Sequence, residues 1–240
     1  MKKDIIAFWG YPNPRLISEI KQQYPSLQWL DLDIDYGNPH SNILPEAYCK
    51  IIKNIFDNAL FLRDRIELIL APIGKDKCDS GWFAAQLLKD KGFRVLESVF
   101  EDTDNKKMLN ISTSNLPLKQ KINLITKNIV EEKEYNFEQC KAEFGFWGVP
   151  PNDLDILDMF PDTTHVYGWT RCVEANAPAD INLEMFVDKD VPTVFYAQAF
   201  CSKCQLAKYL ADKYNGLYID IDDFATNSVR AKIEAFLRLR

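Results

Sequence analysis

The chain has 240 residues, of which 47% are hydrophobic and 27% charged, with a formal net charge of −6. This composition excludes a disordered chain and predicts one large hydrophobic core or two small ones. The acidic balance argues against nucleic acid as the main partner, because nucleic-acid binding usually needs a basic surface. No apolar stretch approaches the roughly 18 residues that span a bilayer, so no membrane partner is expected.

The start of the chain and the cysteines indicate the compartment. The apolar run at residues 5–8 is too short for the hydrophobic region of a signal peptide, so we expect a cytoplasmic protein. Six cysteines in a cytosolic chain of this length are more often core residues, metal ligands or redox thiols than a disulfide framework.

The first hundred residues predict alternating strands and helices. A buried strand is predicted over 5–9, and the stretch 27–35 alternates apolar residues with Asp31, Asp33 and Asp35, which is typical of a strand with one solvated face. The other predicted elements are helices over 16–24, 46–58 and 82–91 and strands over 66–73 and 93–100.

The rest of the chain repeats this order after a connecting helix at 116–133. A strand over 164–170 places Cys172 just after its end, whereas 171–190 shows no clear pattern. The other predicted elements are strands over 143–147, 192–199 and 216–222 and helices over 153–160, 202–214 and 228–239.

The most informative feature of the sequence is a repeat. The segment 7–14 (AFWGYPNP) recurs at 145–152 (GFWGVPPN), and the predicted elements follow each copy in the same order. A duplicated half-domain is the economical interpretation. We therefore predict a first α/β half-domain at 1–100, a connector with a helix at 101–142, and a second α/β half-domain at 143–240.

The predicted fold class is α/β, with two pseudo-twofold-related Rossmann-like half-domains, mainly parallel sheets and a cleft between the halves. Right-handed crossovers give the strand order 2-1-3-4 in each half. Ligands of such sheets bind at the carboxyl edge where the strand order reverses, between the first and third strands. The loops after those strands are Phe-Trp-Gly-x-Pro and the cysteine-bearing loop, so both are expected at the ligand crevice.

Cys201 and Cys204 form a CxxC motif where an apolar strand meets a helix. The free N–H groups at the start of a helix and the neighbouring Lys203 favour a thiolate, which suits a redox dithiol. The same spacing lets both sulfurs bind one metal ion or one cluster. Because a single CxxC is a weak signal for zinc, a metal site, a dithiol and an inert pair all stay open.

Two further cysteines are candidate ligands. Cys172 is expected at the carboxyl edge of the same half, and Cys78 occupies the corresponding loop of the first half. If the halves face each other, these two thiols converge with Cys201 and Cys204. Four thiolates suit zinc or an iron–sulfur cluster, and three leave a coordination position open. The remaining two cysteines are interpreted as small buried residues.

The stretch 193–223, about thirty residues, resembles the strand, CxxC, helix and strand of a glutaredoxin or thioredoxin. The resemblance implies that Cys201 attacks a disulfide and that Cys204 resolves the mixed disulfide. These families continue with a cis-proline and a β-hairpin, whereas this chain continues with a predicted helix at 228–239. The duplicated architecture explains the same order of elements, so the chain is not assigned to either family.

The repeated loop offers candidate binding residues. Gly10 and Gly148 allow a close approach of the backbone to a ligand, and Trp9 and Trp147 offer flat rings to it. The alternative is that both tryptophans fill the space between sheet and helix. Arg171 is a further candidate, for an anionic substrate. Neither loop has the glycine pattern of a dinucleotide or phosphate loop, so nucleotide binding is not predicted.

His40 and His165 are the only histidines in the chain. His165 is expected at the start of a strand, away from the carboxyl edge of the sheet. A catalytic triad built on histidine is therefore not predicted.

Three functions are compatible with these residues. The first is a redox protein whose cysteines hold an iron–sulfur cluster, zinc or another metal at the cleft, with a small molecule or a redox protein as partner. The second is a thiol–disulfide oxidoreductase that uses Cys201 and Cys204. The third is a small-molecule binding or sensing module built around Trp9 and Trp147.

Overall fold

The computed structural model describes residues 3–74, 78–99 and 106–240. The chain divides into two compact units, Met1–Glu101 and Asp102–Arg240. Each unit contains a four-stranded parallel sheet and helices, so the predicted α/β class is confirmed. The predicted loop residues 75–77 and the predicted strand end at residue 100 lie outside the described residues.

The first unit alternates strands and helices. Its strands are β1 (Ile5–Phe8), β2 (Gln28–Asp31), β3 (Ile66–Ile73) and β4 (Val95–Val99). Its helices are α1 (Pro14–Gln23), α2 (Lys50–Phe61) and α3 (Asp79–Asp90).

The second unit has the same alternation with additional short helices. Its strands are β5 (Gly145–Trp147), β6 (His165–Tyr167), β7 (Thr193–Gln198) and β8 (Leu217–Ile221). Its α-helices are α4 (Leu118–Glu131), α5 (Trp169–Glu174), α6 (Ile181–Met185), α7 (Cys204–Lys213) and α8 (Asn227–Leu239), and a 3-10 helix spans Leu154–Met159.

The two sheets share one strand order. It is β2-β1-β3-β4 in the first unit and β6-β5-β7-β8 in the second, which confirms the predicted order 2-1-3-4. Trp9 directly follows β1 and Trp147 ends β5, so the repeated tryptophans occupy matching positions. The superposition of 1–100 on 143–224, the pseudo-twofold relation and the cleft between the halves stay predictions.

Strand β2 is shorter than the predicted strand at 27–35. The Asp31 carboxylate accepts a hydrogen bond of 3.0 Å from the backbone N–H of Asp33, and this local turn ends the strand. Asp33 then accepts a 2.7 Å hydrogen bond from the N–H of Gly10. The prediction that Asp33 and Asp35 lie on a solvated strand face is therefore wrong, because the chain has already left the sheet at these positions.

Helix α2 begins at Lys50 rather than at residue 46, and the polar segment before it forms an irregular loop. Strand β6 also ends earlier than predicted. It stops at Tyr167 because Gly168 adopts a left-handed φ of +74°, and a Cβ there would lie 2.8 Å from the backbone nitrogen of Gly148. Cys172 consequently lies inside α5 and not directly behind a strand.

The sheet of the second unit is buried on both faces. Phe146, Tyr196 and Val166 pack on one face together with α4 residues Leu118 and Ile122. On the other face, Ala207 and Leu210 of α7 pack against the sheet residues Trp147, Phe195 and Ala197. The helix predicted as a connector is thus part of the core of the second unit. Burial on both faces is typical of a parallel sheet.

Helix length and apolarity bear on the membrane prediction. Across residues 3–74, 78–99 and 106–240, none of the helices has the length and apolar character needed to cross a membrane.

We expect substitution of Trp147 by alanine to lower the free energy of unfolding by about 3–5 kcal/mol, the cost typical of removing a buried aromatic side chain. Trp147 is only 1% exposed, and its Nε1–H donates a 2.7 Å hydrogen bond to the carbonyl of Glu184. Chemical denaturation followed by circular dichroism measures the change. Trp82→Ala is the control, because Trp82 is 45% exposed and should cost little. A Trp147→Ala variant as stable as the wild type would contradict the packing role.

Candidate functional site

The candidate site of the second unit lies at the carboxyl edge of its sheet, where the loops after β5, β6 and β7 meet. A narrow crevice there is lined by Trp147, Gly148, Trp169, Glu184, Gln198, Cys201 and Lys203. It lies between the first and third strands of the unit, where open parallel sheets bind their ligands. The structure therefore brings Cys201 to the same crevice as the repeated Trp-Gly pair.

Gly148 is required by packing at this crevice. A Cβ at this position would lie 2.7 Å from the carbonyl oxygen of Tyr196, closer than atoms can approach. Its own carbonyl accepts hydrogen bonds from the backbone N–H of Thr170 at 3.3 Å and from the Thr170 hydroxyl at 3.0 Å. The glycine thus packs against strand β7 and is hydrogen-bonded to the start of α5, which accounts for it without a ligand.

The tryptophans of the repeat are both buried, Trp9 to 5% exposure and Trp147 to 1%. Gly10, the matching glycine of the first unit, has a left-handed φ of +54° and gives its N–H to Asp33. These contacts favour the packing interpretation of the repeated motif. The crevice beside Trp147 has a volume of about 10 Å³, the room that one water molecule needs, so the ring does not offer its face to a larger ligand.

Cys201 and Cys204 lie where β7 leads into α7. Lys203 occupies the N-cap position of α7, and its ammonium, which has no acceptor atom and so cannot cap the helix, forms an ion pair with the carboxylate of Glu184. The positive end of the helix dipole faces the loop that carries Cys201. A helix N-terminus favours the thiolate form of a nearby cysteine, whereas the Glu184 carboxylate, which lines the same crevice, opposes it.

Cys204 differs from Cys201 in its surroundings. Its thiol donates a 3.2 Å hydrogen bond to the carbonyl of Gln198, and it is also hydrogen-bonded to the hydroxyl of Tyr218. Burial raises the pKa of the Cys204 thiol, although the hydrogen bonds from Cys201 and Tyr218 oppose this effect. A negative charge on Cys201 raises the pKa of Cys204 further, so the two sulfurs influence each other directly. The pair combines a thiol that lines the crevice with a thiol that stays protonated.

The other predicted ligands lie in different surroundings. Cys172 is buried, and burial raises its pKa to about 12, so it is a neutral thiol at physiological pH. Cys78 is exposed at the N-cap of α3, in the first unit. Within the part of the chain that the structure describes, no group of three or more His, Cys, Asp or Glu side chains is arranged to hold a metal ion. Convergence of the four thiols stays a prediction.

Arg171 is buried and contacts backbone carbonyls and an aromatic ring of the second unit. The side chain is 3% exposed, and it donates hydrogen bonds of 2.6 Å to the carbonyls of Leu183 and Phe186. The guanidinium also lies 4.8 Å from the centre of the Tyr167 ring. These contacts tie α5 to the end of α6 and favour a structural role over the predicted anion binding. Burial lowers the pKa of Arg171 accordingly.

His165 lies at the start of β6, as predicted, on the edge of the sheet opposite the crevice. Its Nε2 lies 3.0 Å from the carbonyl of Cys140, and the Cys140 thiol donates to the carbonyl of Ser114 at 3.2 Å. Burial lowers the pKa of His165, so a neutral ring donates its Nε2–H to that carbonyl. The Cys140 sulfur also lies 3.8 Å from His165 Nε2, but the shorter hydrogen bonds of both groups go to backbone carbonyls, which favours a structural role for the pair.

The carboxyl edge of the first unit carries a pair of aspartates. Burial raises the pKa of Asp33 to about 6, against the opposing hydrogen bond from Gly10. Burial and the neighbouring charge of Asp33 raise the pKa of Asp31 well above its usual value. The two carboxyl groups are therefore costly to ionise together.

A histidine–aspartate pair in the first unit was not predicted. His40 Nδ1 lies 2.9 Å from Asp57 Oδ2, and both residues line a cavity of about 300 Å³. The partners are 17 positions apart, on a loop and on α2, so no local motif joins them. The available signal was the polar set Asn54, Asp57 and Asn58, which are spaced three and four residues apart on α2.

Comparison with models of known protein families and with curated proteins found no match to this chain. The function is therefore inferred from the residues of these sites.

We expect Asp31→Asn to stabilise the protein at neutral pH. The folded state raises the pKa of Asp31, so it keeps a proton that the unfolded chain releases near pH 4. The corresponding stability is present at low pH and is lost as the pH rises from about 4 through the folded-state pKa. Asparagine removes this loss and keeps the oxygen that accepts from Asp33, so the gain at pH 7 should be at least about 1 kcal/mol.

Urea denaturation between pH 4 and pH 8 tests this expectation. The gain should shrink towards pH 4, and Asp64→Asn, at an exposed position, should show no gain at any pH. A gain in stability that does not depend on pH, or an Asp31→Asn variant that is less stable at pH 7, would show that ionisation of Asp31 beside Asp33 does not destabilise the folded state.

Proposed function

We propose that the chain is a thiol–disulfide oxidoreductase whose reacting pair is Cys201 and Cys204. The observation that supports it best is the asymmetry of the two thiols. Cys201 lines the crevice before the uncapped start of α7, whereas the partly buried Cys204 thiol is hydrogen-bonded to Gln198 and Tyr218. Exchange chemistry uses such a pair, with an accessible thiolate that attacks and a second thiol that resolves.

The reaction proceeds in two exchange steps. The Cys201 thiolate attacks one sulfur of a substrate disulfide, a mixed disulfide forms, and the other substrate sulfur leaves as a thiolate. Cys204 gives its proton to that thiolate and attacks the sulfur of Cys201, which releases the second substrate sulfur. The substrate disulfide gains two electrons and leaves as one thiol and one thiolate, while the protein gains a Cys201–Cys204 disulfide. The thiolate takes from the solvent the proton that Cys201 had released on ionising.

The surrounding residues support these steps. Lys203, the N-cap residue of α7, makes no side-chain hydrogen bond to the helix start beside Cys201, and its ammonium forms an ion pair with Glu184. The Tyr218 hydroxyl, whose pKa is raised by burial, stays protonated and donates to the Cys204 sulfur as it loses its proton. Trp147 and Trp169 form walls of the crevice and limit access to Cys201.

The predicted iron–sulfur or zinc centre would use the same two sulfurs and need further ligands from Cys172 and Cys78. Cys172 is buried within α5 of the second unit, whereas Cys78 is exposed at the N-cap of α3 of the first unit. The dithiol requires no residue beyond the CxxC pair and is therefore the function we favour, while the metal centre stays a prediction.

We expect oxidation of a Cys78→Ser protein, which lacks the exposed thiol of the first unit, by an aromatic disulfide such as DTNB to remove two titratable thiols, and a dithiol reductant to restore them. Cys201→Ser should abolish disulfide reduction, because the attacking sulfur is lost. Cys204→Ser should trap the mixed disulfide on Cys201, which intact mass spectrometry detects. Cys140→Ser is the matched control and should behave as the wild type. Turnover that survives in Cys201→Ser would contradict the assignment.

Anaerobic purification with metal analysis and an absorption spectrum tests the metal prediction separately. A protein with the dithiol function should be colourless and should hold no stoichiometric metal that depends on Cys201 or Cys204. Brown protein with bound sulfide, lost in the Cys201→Ser and Cys204→Ser variants, would replace the dithiol by a cluster.

A further inference from the structure

The turn that leads into Cys201 contains a residue that is unusual for its position. The backbone N–H of Cys201 donates a 3.1 Å hydrogen bond to the carbonyl of Gln198, which closes a β-turn over residues 198–201. Phe200, the third residue of this turn, has a left-handed φ of +61°. Glycine or asparagine usually occupies such a position, because a bulky side chain is strained there. The phenylalanine therefore costs free energy in this turn.

The packing of the fold does not compensate for this cost. Phe200 is 59% exposed, so less than half of the residue is buried against the rest of the chain. It directly precedes Cys201, the sulfur that lines the crevice. A strained backbone position that presents an apolar ring to solvent beside a reactive thiol points to a role in binding, because strained residues cluster at ligand sites.

A second segment near the crevice also carries an exposed aromatic ring. Glu184 of α6 lines the crevice with Cys201, and its ion pair with Lys203 ties α6 to the loop that carries the thiol. Phe186, two residues after Glu184, is 57% exposed. Its carbonyl accepts a 2.6 Å hydrogen bond from the buried Arg171, which holds this backbone in place. Two fixed segments next to the crevice therefore present apolar surface to solvent.

The size and charge of the crevice disfavour a small anionic disulfide such as glutathione disulfide. The volume of about 10 Å³ is the room that one water molecule needs, so a disulfide has to reach Cys201 from the surface. The charge of the Lys203 ammonium is already paired with the Glu184 carboxylate. The exposed Asp222 follows β8 at the same edge of the sheet, and its carbonyl accepts from the side chain of Gln198. Apolar surface is thus the better source of binding energy for a substrate.

We propose that the substrate of Cys201 and Cys204 is a disulfide in an apolar segment of a partner protein, which docks on the rings of Phe200 and Phe186. This inference rests on the proposed dithiol function and names the class of substrate for it. The apolar side chains of the segment cover the Phe200 ring, and the neighbouring disulfide is then held at the Cys201 sulfur. The two exchange steps are those described for the proposed function.

Single-turnover reduction of two synthetic peptides tests this docking surface. Both peptides contain one internal disulfide, and they differ only in the residues beside the cysteines, which are leucines in one and serines in the other. The reduced full chain with Cys78→Ser is mixed with each peptide, and chromatography of the reduced peptide gives the second-order rate constant. The leucine peptide should react about tenfold faster than the serine peptide, the effect expected when one large apolar side chain is partly covered. It should also react faster than glutathione disulfide.

Phe200→Ala should lower the ratio of the leucine-peptide rate to the serine-peptide rate at least threefold, because the ring that the leucines cover is lost. Phe61→Ala is the matched control, since Phe61 is an exposed phenylalanine at the end of α2 in the first unit. It should keep the wild-type ratio. Phe200→Gly should show the same loss of the ratio and a higher melting temperature than Phe200→Ala, because glycine adopts the left-handed conformation without strain.

The docking surface is overturned if the protein reduces both peptides equally fast, or if glutathione disulfide reacts faster than the leucine peptide. It is also overturned if Phe200→Ala keeps the ratio, or if Phe200→Gly restores it, since the strained backbone and not the ring would then be responsible. The rate with DTNB, measured on the same samples, separates the two levels of inference. A protein in which Cys201 does not reduce DTNB contradicts the dithiol function and the docking surface together, whereas reduction of DTNB with an unchanged peptide ratio in Phe200→Ala contradicts the docking surface alone.

Discussion

The close packing at Gly148, where the segments after β5 and β6 approach each other and strand β7, is the constraint on which the site of the second unit depends. A side chain at this glycine would clash with the carbonyl of Tyr196, and one at Gly168 would clash with the nitrogen of Gly148. Only glycine therefore allows the chain ends of β5, β6 and β7 to lie so close together. Because the loops meet here, Cys201 shares a crevice with Trp147 although the two are distant in sequence.

In the first unit, the glycine of the repeated motif is held by a side chain instead of a backbone carbonyl. The N–H of Gly148 donates to the carbonyl of Tyr167 at 3.4 Å, whereas the N–H of Gly10 donates to the carboxylate of Asp33 at 2.7 Å. In both units the glycine of the repeated motif is thus fastened to the chain leaving the second strand. The carboxylate in the first unit carries an electrostatic cost, which appears as the raised pKa of Asp31 and Asp33.

The sequence predicts elements well where an apolar run is nearly continuous, as in β3 and β7, and it predicts the strand order of both sheets. It fails where a local hydrogen bond or a glycine overrides the pattern. The alternation through Asp33 and Ile34 has the period of a strand, but the turn at Asp31 is stabilised by a side-chain hydrogen bond that periodicity does not register. The pairing of His40 with Asp57 depends on the path of a long irregular loop, which no spacing rule specifies.

The residues that the two units repeat differ from the residues that offer chemistry. Trp9, Gly10, Trp147 and Gly148 are explained by burial, close packing and backbone hydrogen bonds. The thiol pair and the histidine–aspartate pair occur in one unit each, on segments that the repeat does not include. If the halves descend from one ancestor, the ancestral motif was a device for closing the sheet edge. The reactive groups were then acquired separately in each half. The repeat therefore identifies residues that maintain the fold, and the candidate functional residues have to be found outside it.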